Sequence, residues 1–247
     1  MPYRPTWFRD GKVVVSGAPK CGINKDGIDR VIVDKPHHIA VDDLLYRDVL
    51  AIREGKKTPT TRIVPLSDVM GKWRAVPTHY DMTSVVAFRA AMKDTWPDWT
   101  EATIGDLIER GWVTHRDGHG SPPKDAREGV IPYIKVSDLR AGQVNINPTN
   151  MVTQEIAEDF WKGPDSGLEP FDLLSPERAS SNIGEFCVLM PGQEQVVVTR
   201  EVIVLRVTDE APFDPFYLLW ALSLKVVRDQ WKRVIFMQTN RDDVSSR

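Results

Sequence analysis

Residues 128–147, EGVIPYIKVSDLRAGQVNIN, carry the clearest β pattern in the chain. The apolar bias of 131–136 predicts a strand, 137–142 predicts a turn, and QVNIN at 143–147 predicts the start of a second strand. No familiar catalytic motif accompanies this stretch in the middle of the chain. The pattern therefore favours a β-containing scaffold over an enzyme with a self-contained active site.

The sequence after this stretch alternates strands and loops before it ends in a helix. Residues 171–192 predict a strand, a polar loop and a second strand, and 193–209 give two β-branched runs joined near Thr199. Residues 213–236 predict the strongest helix, with Asp214-Pro215 at its start. Residues 114–129 predict a polar loop rich in Gly and Pro. The fold class expected is α+β, with a mixed, β-rich second part.

The first part of the chain is less regular. Residues 12–30 predict a strand followed by a Gly-rich hairpin, and 41–57 predict a helix capped by Gly55. Residues 61–81 are expected to run extended, and 84–96 to form a helix that ends before Pro97. A new segment is expected to begin near Trp99, with Thr103 as the N-cap of a short helix. We therefore predict a small irregular α/β segment at 1–98 and a second domain at 99–247.

Composition limits the classes of function. The 247 residues carry a formal net charge of −3, divided into +4 over 1–98 and −7 over 99–247. An acidic second part argues against DNA binding by bulk charge alone, although a local basic face within a larger assembly stays open. No apolar run is long enough for a transmembrane helix, and the N-terminus lacks a signal core. A cytoplasmic protein with two reduced cysteines is expected.

Motifs that would carry chemistry are absent or weak. The chain has no GxSxG, P-loop or HExxH pattern. His115 and His119 are four residues apart, but Asp117-Gly118 between them indicates a solvated loop rather than a metal site. Asn147–Asn150, NPTN, lacks the second proline and the aromatic residue of an amino-methyltransferase motif, and an ordinary turn is expected. We therefore expect no catalytic residue and no metal.

Read in order, residues 99–247 resemble a target-recognition domain of type I restriction–modification specificity subunits. The resemblance is carried by the order and spacing of TIGDLIERG, GVIPYIKVSDLRAGQVN, LLSPERASSNIGEFCVL, DPFYLLWALSL and QTNRDDVSSR. It implies a non-catalytic part that recognises a DNA sequence. The pattern departs from that family because it contains one recognition domain instead of two and lacks long spacer helices.

Residues 1–80 are similar to a different protein of the same systems. APKCGINKDG, VDDLLYRDVLAI and AVPTHYD look like the tail that follows the catalytic domain of N-6 adenine DNA methyltransferases. The resemblance implies no cofactor in this chain and S-adenosylmethionine on a partner methyltransferase, which would flip out the target adenine. The implied partners are double-stranded DNA, a DNA methyltransferase subunit and a restriction or other phage-defence subunit, with no membrane.

If the resemblance holds, three loops supply most of the donors for DNA: 114–129, 178–182 and 238–241. Basic residues after the last predicted helix face could add phosphate contacts. The candidate DNA-binding residues are Arg116, Lys124, Arg127, Arg178, Asn182, Lys232, Arg233, Gln238, Asn240 and Arg241. Each could equally be an ordinary polar surface residue, and the basic set near 225–233 could be a solvated helix face.

Two other classes of function stay open from the sequence. One is a structural or protein-interaction subunit of a defence complex without sequence-specific DNA contact, which the acidic second part favours. The other is an enzyme whose site has no recognisable motif. Affinity that depends on salt and also varies among duplex sequences would distinguish recognition from pure protein interaction.

Overall fold

The fold was analysed in a computed structural model, which describes residues 11–17, 21–23, 27–35, 38–72, 77–123, 128–163, 166–177, 182–238 and 241–244. At 32–35, 38–40, 72, 232, 235–238 and 241–244 the description is of the backbone. The chain divides into two compact units, 1–82 and 83–247. The boundary predicted at 98/99 lies within the second unit. Both helices and sheets are present, so the α+β fold class is confirmed.

The first unit is built on small two-stranded sheets. Strands β1 (Lys12–Ser16) and β4 (Thr61–Pro65) pair antiparallel, as do β2 (Val31–Lys35) and β3 (His38–Val41). Helix α1 (Leu44–Arg53) confirms the helix predicted within 41–57, with Asp43 as N-cap and Gly55 in the left-handed region after its end. Residues 61–81 were expected to run extended throughout. Instead α2 (Leu66–Lys72) and a 3-10 turn at Pro77–Tyr80 follow β4.

A buried carboxylate organises the centre of the first unit. Asp48 projects from α1 and is 2% exposed. Its oxygens accept hydrogen bonds from the hydroxyls of Ser16, Thr58 and Thr60 at 2.5–2.8 Å. Burial alone would raise the pKa of Asp48, but the three hydroxyl donors hold that pKa below its ordinary value. The inward side of α1 is therefore polar at its centre.

The second unit contains a six-stranded sheet of order β5-β13-β10-β11-β8-β7 and a three-stranded sheet of order β12-β6-β9. The larger sheet has mostly antiparallel pairs, with β11 and β8 parallel. Its strands are β5 (Val113–Asp117), β7 (Leu139–Arg140), β8 (Gln143–Val144), β10 (Leu173–Pro176), β11 (Cys187–Val188) and β13 (Val202–Val207). The smaller sheet contains β6 (Ile131–Ile134), β9 (Met151–Val152) and β12 (Val197–Val198).

The central strands of the larger sheet, β10, β11 and β13, are buried on both faces, which explains the unbroken apolar run of β13. Val202 and Val204 face a core shared with Ile134 and Val198 of the smaller sheet. Ile203 and Leu205 face the opposite core, which is covered by α4 (Ile104–Glu109) and α6 (Pro215–Ser223). A strand buried on both faces loses the alternation of polar and apolar residues. Helix α5 (Gln154–Phe160) packs on the far side of the smaller sheet.

The stretch 128–147 contributes to both sheets instead of forming one hairpin. Strand β6 pairs with β12 and β9 in the smaller sheet, and a 3-10 turn at Val136–Asp138 then moves the chain to the larger sheet. The tight hairpin there joins β7 to β8 through Ala141 and Gly142, both with positive φ. The strands predicted at 171–192 and 193–209 are present as β10, β11, β12 and β13.

The long helix predicted at 213–236 is shorter than expected. Helix α6 ends at Ser223, and Leu224 is extended. The shorter helices α3 (Thr83–Thr95) and α4 lie where they were predicted. The Ser223 hydroxyl donates to the carbonyl of Trp220, a local bond that competes with helix continuation. The remaining elements are α7 (Lys225–Arg228), a 3-10 turn at Asp229–Arg233, β14 (Ile235–Gln238) and β15 (Arg241–Val244).

Both cysteines are free thiols, with Cys21 exposed and Cys187 buried. No helix among the described residues combines the length and apolarity needed to cross a membrane.

Candidate nucleic-acid interface

Two of the three predicted recognition loops leave the larger sheet at the same end. Strands β5 and β10 both run antiparallel to β13 and flank it on either side. The last residues of β5 and β10 therefore lie beside the first residues of β13: Asp117 pairs with Ile203, and Pro176 pairs with Val202. The turn from β12 to β13 emerges between them. We call this surface the loop end of the sheet, comprising 118–123, 177, 182–186 and 199–201.

The 118–120 backbone lies directly on the β12–β13 turn. The main-chain N–H of Gly118 donates to Val202 at 2.8 Å, and that of His119 donates to Val198 at 2.9 Å. A Cβ at position 118 would lie 2.1 Å from the carbonyl oxygen of Thr199. Only glycine permits this approach, so the loop is fixed to the turn from its first residue.

The side chain of His119 links the 118–123 segment to β12 and to Ser166. Its Nδ1 accepts the N–H of Val198 at 3.0 Å, so the ring proton lies on Nε2, which donates to the carbonyl of Ser166 at 2.6 Å. Burial lowers the pKa of His119, and the nearby Arg116 guanidinium lowers it further against the opposing effect of the Ser166 carbonyl. His119 is thus a neutral structural residue, which replaces the solvated loop or metal ligand considered from sequence.

The described residues on either side of 178–181 are held by hydrogen bonds to the neighbouring strands and turn. The N–H of Glu177 donates to the carbonyl of Glu201 at 2.8 Å, and the N–H of Gly184 donates to the Ser175 hydroxyl at 3.2 Å. The side chain of Trp231 lies against Gly184, and a Cβ at position 184 would lie 2.5 Å from the Trp231 ring. The 3-10 turn that carries Trp231 therefore packs on this loop.

That packing places the 3-10 turn at Asp229–Arg233, which precedes the third predicted loop, against the loop end. Arg233 is partly buried and lies two residues after Trp231, at the end of the 3-10 turn. Strands β14 and β15 follow as a hairpin in which Gln238 pairs with Arg241. Residues 238 and 241, at the two bounds of the third predicted loop, are therefore strand residues, and 239–240 lie outside the described residues. Lys232, Gln238 and Arg241 are described by their backbone, and Asn240 lies outside the described residues.

The first predicted loop begins later than expected. Residues 114–117 belong to β5, because they pair with 203–206 of β13. Arg116 therefore projects from a strand, and its guanidinium donates to the carbonyls of Asp117, Ser166 and Gly167 at 3.0–3.2 Å. These bonds engage much of its donor capacity. Lys124, Arg127 and Arg178 lie outside the described residues.

Asn182 and the β12–β13 turn complete the loop end. Asn182 is partly buried in the turn at 182–185, where its carbonyl accepts the N–H of Glu185 at 2.9 Å. The turn between β12 and β13 carries Arg200, an exposed residue that the sequence argument overlooked. The sequence feature that could have indicated this turn is the charged pair Arg200-Glu201, which lies between two runs of β-branched residues.

A separate ion-pair cluster has a structural role. Arg206 makes two hydrogen bonds of 2.8 Å to the buried carboxylate of Asp172 and one of 2.6 Å to Glu169. The Asp172 hydrogen bond is the main cause that raises the pKa of Arg206. Within the described part of the chain, no three His, Cys, Asp or Glu side chains form a group that could hold a metal ion.

Neither a scan of known protein families nor a search of curated proteins found a match to this chain. Among solved structures, it is similar to the HsdS subunit of Thermoanaerobacter tengcongensis, with 16% identity, a TM-score of 0.39, and coverage of 86% of this chain and 52% of that one. It is also similar to the type I restriction–modification S subunit of M. genitalium, with 13% identity, a TM-score of 0.33, and coverage of 54% and 31%.

A third similar chain comes from a study of assembly and conformational transition in the type I restriction–modification system. It shows 19% identity, a TM-score of 0.36, and coverage of 72% of this chain and 39% of that one. This chain therefore corresponds to about half or less of the length of these structures.

Proposed function

We propose that this chain is the non-catalytic DNA sequence-recognition part of a restriction–modification or related phage-defence methyltransferase complex. The observation that carries the proposal is that 118–123, the described residues 177 and 182–186, and the β12–β13 turn lie at one end of a sheet whose central strands are buried on both faces. Recognition loops on a rigid scaffold hold donors in the fixed geometry that base discrimination requires.

The partners follow from the same proposal. Double-stranded DNA would contact the loop end, and a DNA adenine methyltransferase subunit carrying S-adenosylmethionine would perform the reaction. A restriction or other defence subunit would complete the complex in the cytoplasm. Residues 1–80 would act as a methyltransferase-tail-like attachment, and the ten DNA-binding residues named from sequence would supply phosphate and base contacts.

Titration of labelled duplexes by fluorescence anisotropy tests this function. A randomised duplex pool would first be selected on the full 247-residue chain, and the enriched sequence would then be compared with scrambled duplexes at several salt concentrations. We expect binding that weakens with salt and at least about 10³-fold preference for the enriched sequence. Equal affinity for all duplexes would contradict the proposal.

An exposed aromatic patch favours the alternative of a protein-interaction subunit without sequence-specific DNA contact. Trp99, Phe216, Tyr217 and Trp220 are each 40–47% exposed. Trp99 contacts Trp220 and Tyr217 with ring centroids 5.6 and 6.2 Å apart. Contiguous exposed aromatic residues are typical of protein interfaces.

Substitution of this patch separates the two functions. If protein interaction is the whole role, Trp220→Ser and Trp99→Ser should abolish co-purification with the methyltransferase subunit. In that case the unsubstituted chain should also show no preference among duplexes. If recognition is the role, the same variants should retain duplex discrimination. Phe160→Ser is unsuitable as a control because it disturbs the core, whereas exposed Met190→Ser offers a matched apolar loss elsewhere.

A further inference from the structure

The β12–β13 turn is held by main-chain hydrogen bonds to several elements of the second unit. It is closed by the N–H of Val202, which donates to the carbonyl of Thr199 at 3.2 Å. Thr199 is 3% exposed, and its N–H donates to the carbonyl of Ile134 at 2.9 Å. Because β12 belongs to the smaller sheet and β13 to the larger one, both sheets fix the turn.

The flanking loops hold the turn from both sides. Gly118 lies against the Thr199 carbonyl on one side. On the other side, the N–H of Glu177 donates to the carbonyl of Glu201 at 2.8 Å. The main chain of Arg200, between these two contacts, therefore has a fixed position relative to both candidate recognition loops.

The side chain of Arg200 is exposed on this fixed backbone and makes no hydrogen bond or ion pair within the described part of the chain. Other arginines of the second unit are engaged: Arg116 by main-chain carbonyls, Arg206 by Asp172 and Glu169, and Arg89 by Glu101. Arg200 thus presents a full set of guanidinium donors at the centre of the loop end.

Acidic residues also occur in this part of the second unit. Glu201 follows Arg200 in the turn, and exposed Asp117 ends β5, where it pairs with Ile203. Carboxylates repel the phosphate backbone, so this point on the surface is poorly suited to bulk DNA attraction. A planar guanidinium at the tip of a narrow turn instead matches the paired acceptors O6 and N7 of guanine in the major groove.

We propose that Arg200 is a specificity-determining residue that recognises a guanine in the DNA target. The assignment rests on the proposed function of the chain and extends it to one side chain and one base. The flanking loops position the duplex, and Arg200 discriminates G·C from the other pairs at a single position of the site.

Three variants test the assignment: Arg200→Ala, Arg200→Lys and Arg110→Ala. Arg110 is an exposed arginine that lies over Trp112, next to the opposite end of β5, and serves as the matched control. Each protein would be used to select duplexes from a randomised pool. The affinity for the selected site and for its single-pair variants would then be measured at fixed salt. Thermal unfolding should be unchanged for both Arg200 variants.

We expect Arg200→Ala to remove a preference of roughly 10- to 100-fold at one G·C position, with the other positions unchanged. Arg200→Lys should retain part of this G·C preference, and Arg110→Ala should retain all of it. Unaltered discrimination in Arg200→Ala would overturn the assignment, as would a uniform loss of affinity with a salt slope reduced by about one, which marks a phosphate contact. Absence of any preference in the unsubstituted chain would instead overturn the proposed function, and this assignment with it.

Discussion

The imidazole of His119 and the main chain of Val198 form a direct hydrogen bond, with the Val198 N–H donating to Nδ1 at 3.0 Å. Because Nδ1 is an acceptor in this bond, protonation of the ring would place two donors face to face. Burial of the ring adds to the same effect, and the pKa of His119 is lowered. The bond therefore links the integrity of the loop end to pH.

The sign of that dependence follows from proton binding. The unfolded chain takes up a proton on this histidine as the pH falls through about 6.5, whereas the folded chain resists protonation. We expect the free energy of unfolding to decrease below pH 6.5. His119→Asn should cost about 1–3 kcal/mol at pH 8 through lost hydrogen bonds and should flatten the dependence below pH 6.5. Denaturant unfolding at several pH values measures both effects.

His115 provides the control for that experiment because it is exposed on β5, four residues before His119. His115→Asn should leave the unfolding free energy at pH 8 within experimental error. A His119→Asn variant with the same acid slope as the unsubstituted protein would show that another group is responsible.

Gly118→Ala tests how tightly the first recognition loop lies on the β12–β13 turn. The added methyl carbon would lie 2.1 Å from the carbonyl oxygen of Thr199, so backbone must move. We expect a loss of about 3 kcal/mol in unfolding free energy. Gly167→Ala is the matched control, since a Cβ there has no atom within 4 Å and φ is not positive. Equal stability of the two variants would mean that the loop is held elsewhere.

Asp48→Asn tests the polar centre of the first unit. The folded pKa of Asp48 is lowered, so its contribution to stability is present above the unfolded value near 3.8 and is lost as the pH falls through the folded value. At pH 7 the amide replaces a charged acceptor of three hydroxyl bonds, and we expect a loss of about 2–3 kcal/mol. Hydrogen exchange of β1 and β4 amides reports this unit by itself. Exposed Asp68→Asn should leave that exchange unchanged.

Local chemistry made several elements predictable from sequence. Asp214-Pro215 and Thr103 indicated where two helices begin. Asp43 and Gly55 lie at the two ends of α1, at positions that the capping rules favour for these residue types. The pair Gly184 and Trp231 shows what sequence could not provide. Their contact joins residues 47 positions apart, and neither residue type signals the other.

The same limit explains the errors at the candidate site. Arg116 was predicted in a loop because of the Gly and Pro that follow, yet pairing with β13 extends β5 through Asp117. The helix predicted at 213–236 ends at Ser223 because Leu224 takes an extended conformation, which the apolar pattern does not encode. Arg200 was overlooked because its importance comes from the two loops that flank it in space.

Ala141→Asn should stabilise the β7–β8 hairpin. Ala141 and Gly142 have φ of 54° and 75°, the positive values that a type I′ turn requires at both central positions. Alanine adopts this region at a cost of roughly 1–2 kcal/mol, whereas asparagine tolerates it, and Asn-Gly is the favoured pair for such turns. The main-chain N–H of residue 141 would keep its 3.1 Å bond to the Glu185 carboxylate.

We expect a gain of about 0.5–1 kcal/mol in unfolding free energy, measured by urea denaturation with an unchanged slope. Ala141→Val places a β-branched residue in the same conformation and should destabilise the protein; a gain from valine, or a loss from asparagine, would show that the turn does not have this geometry.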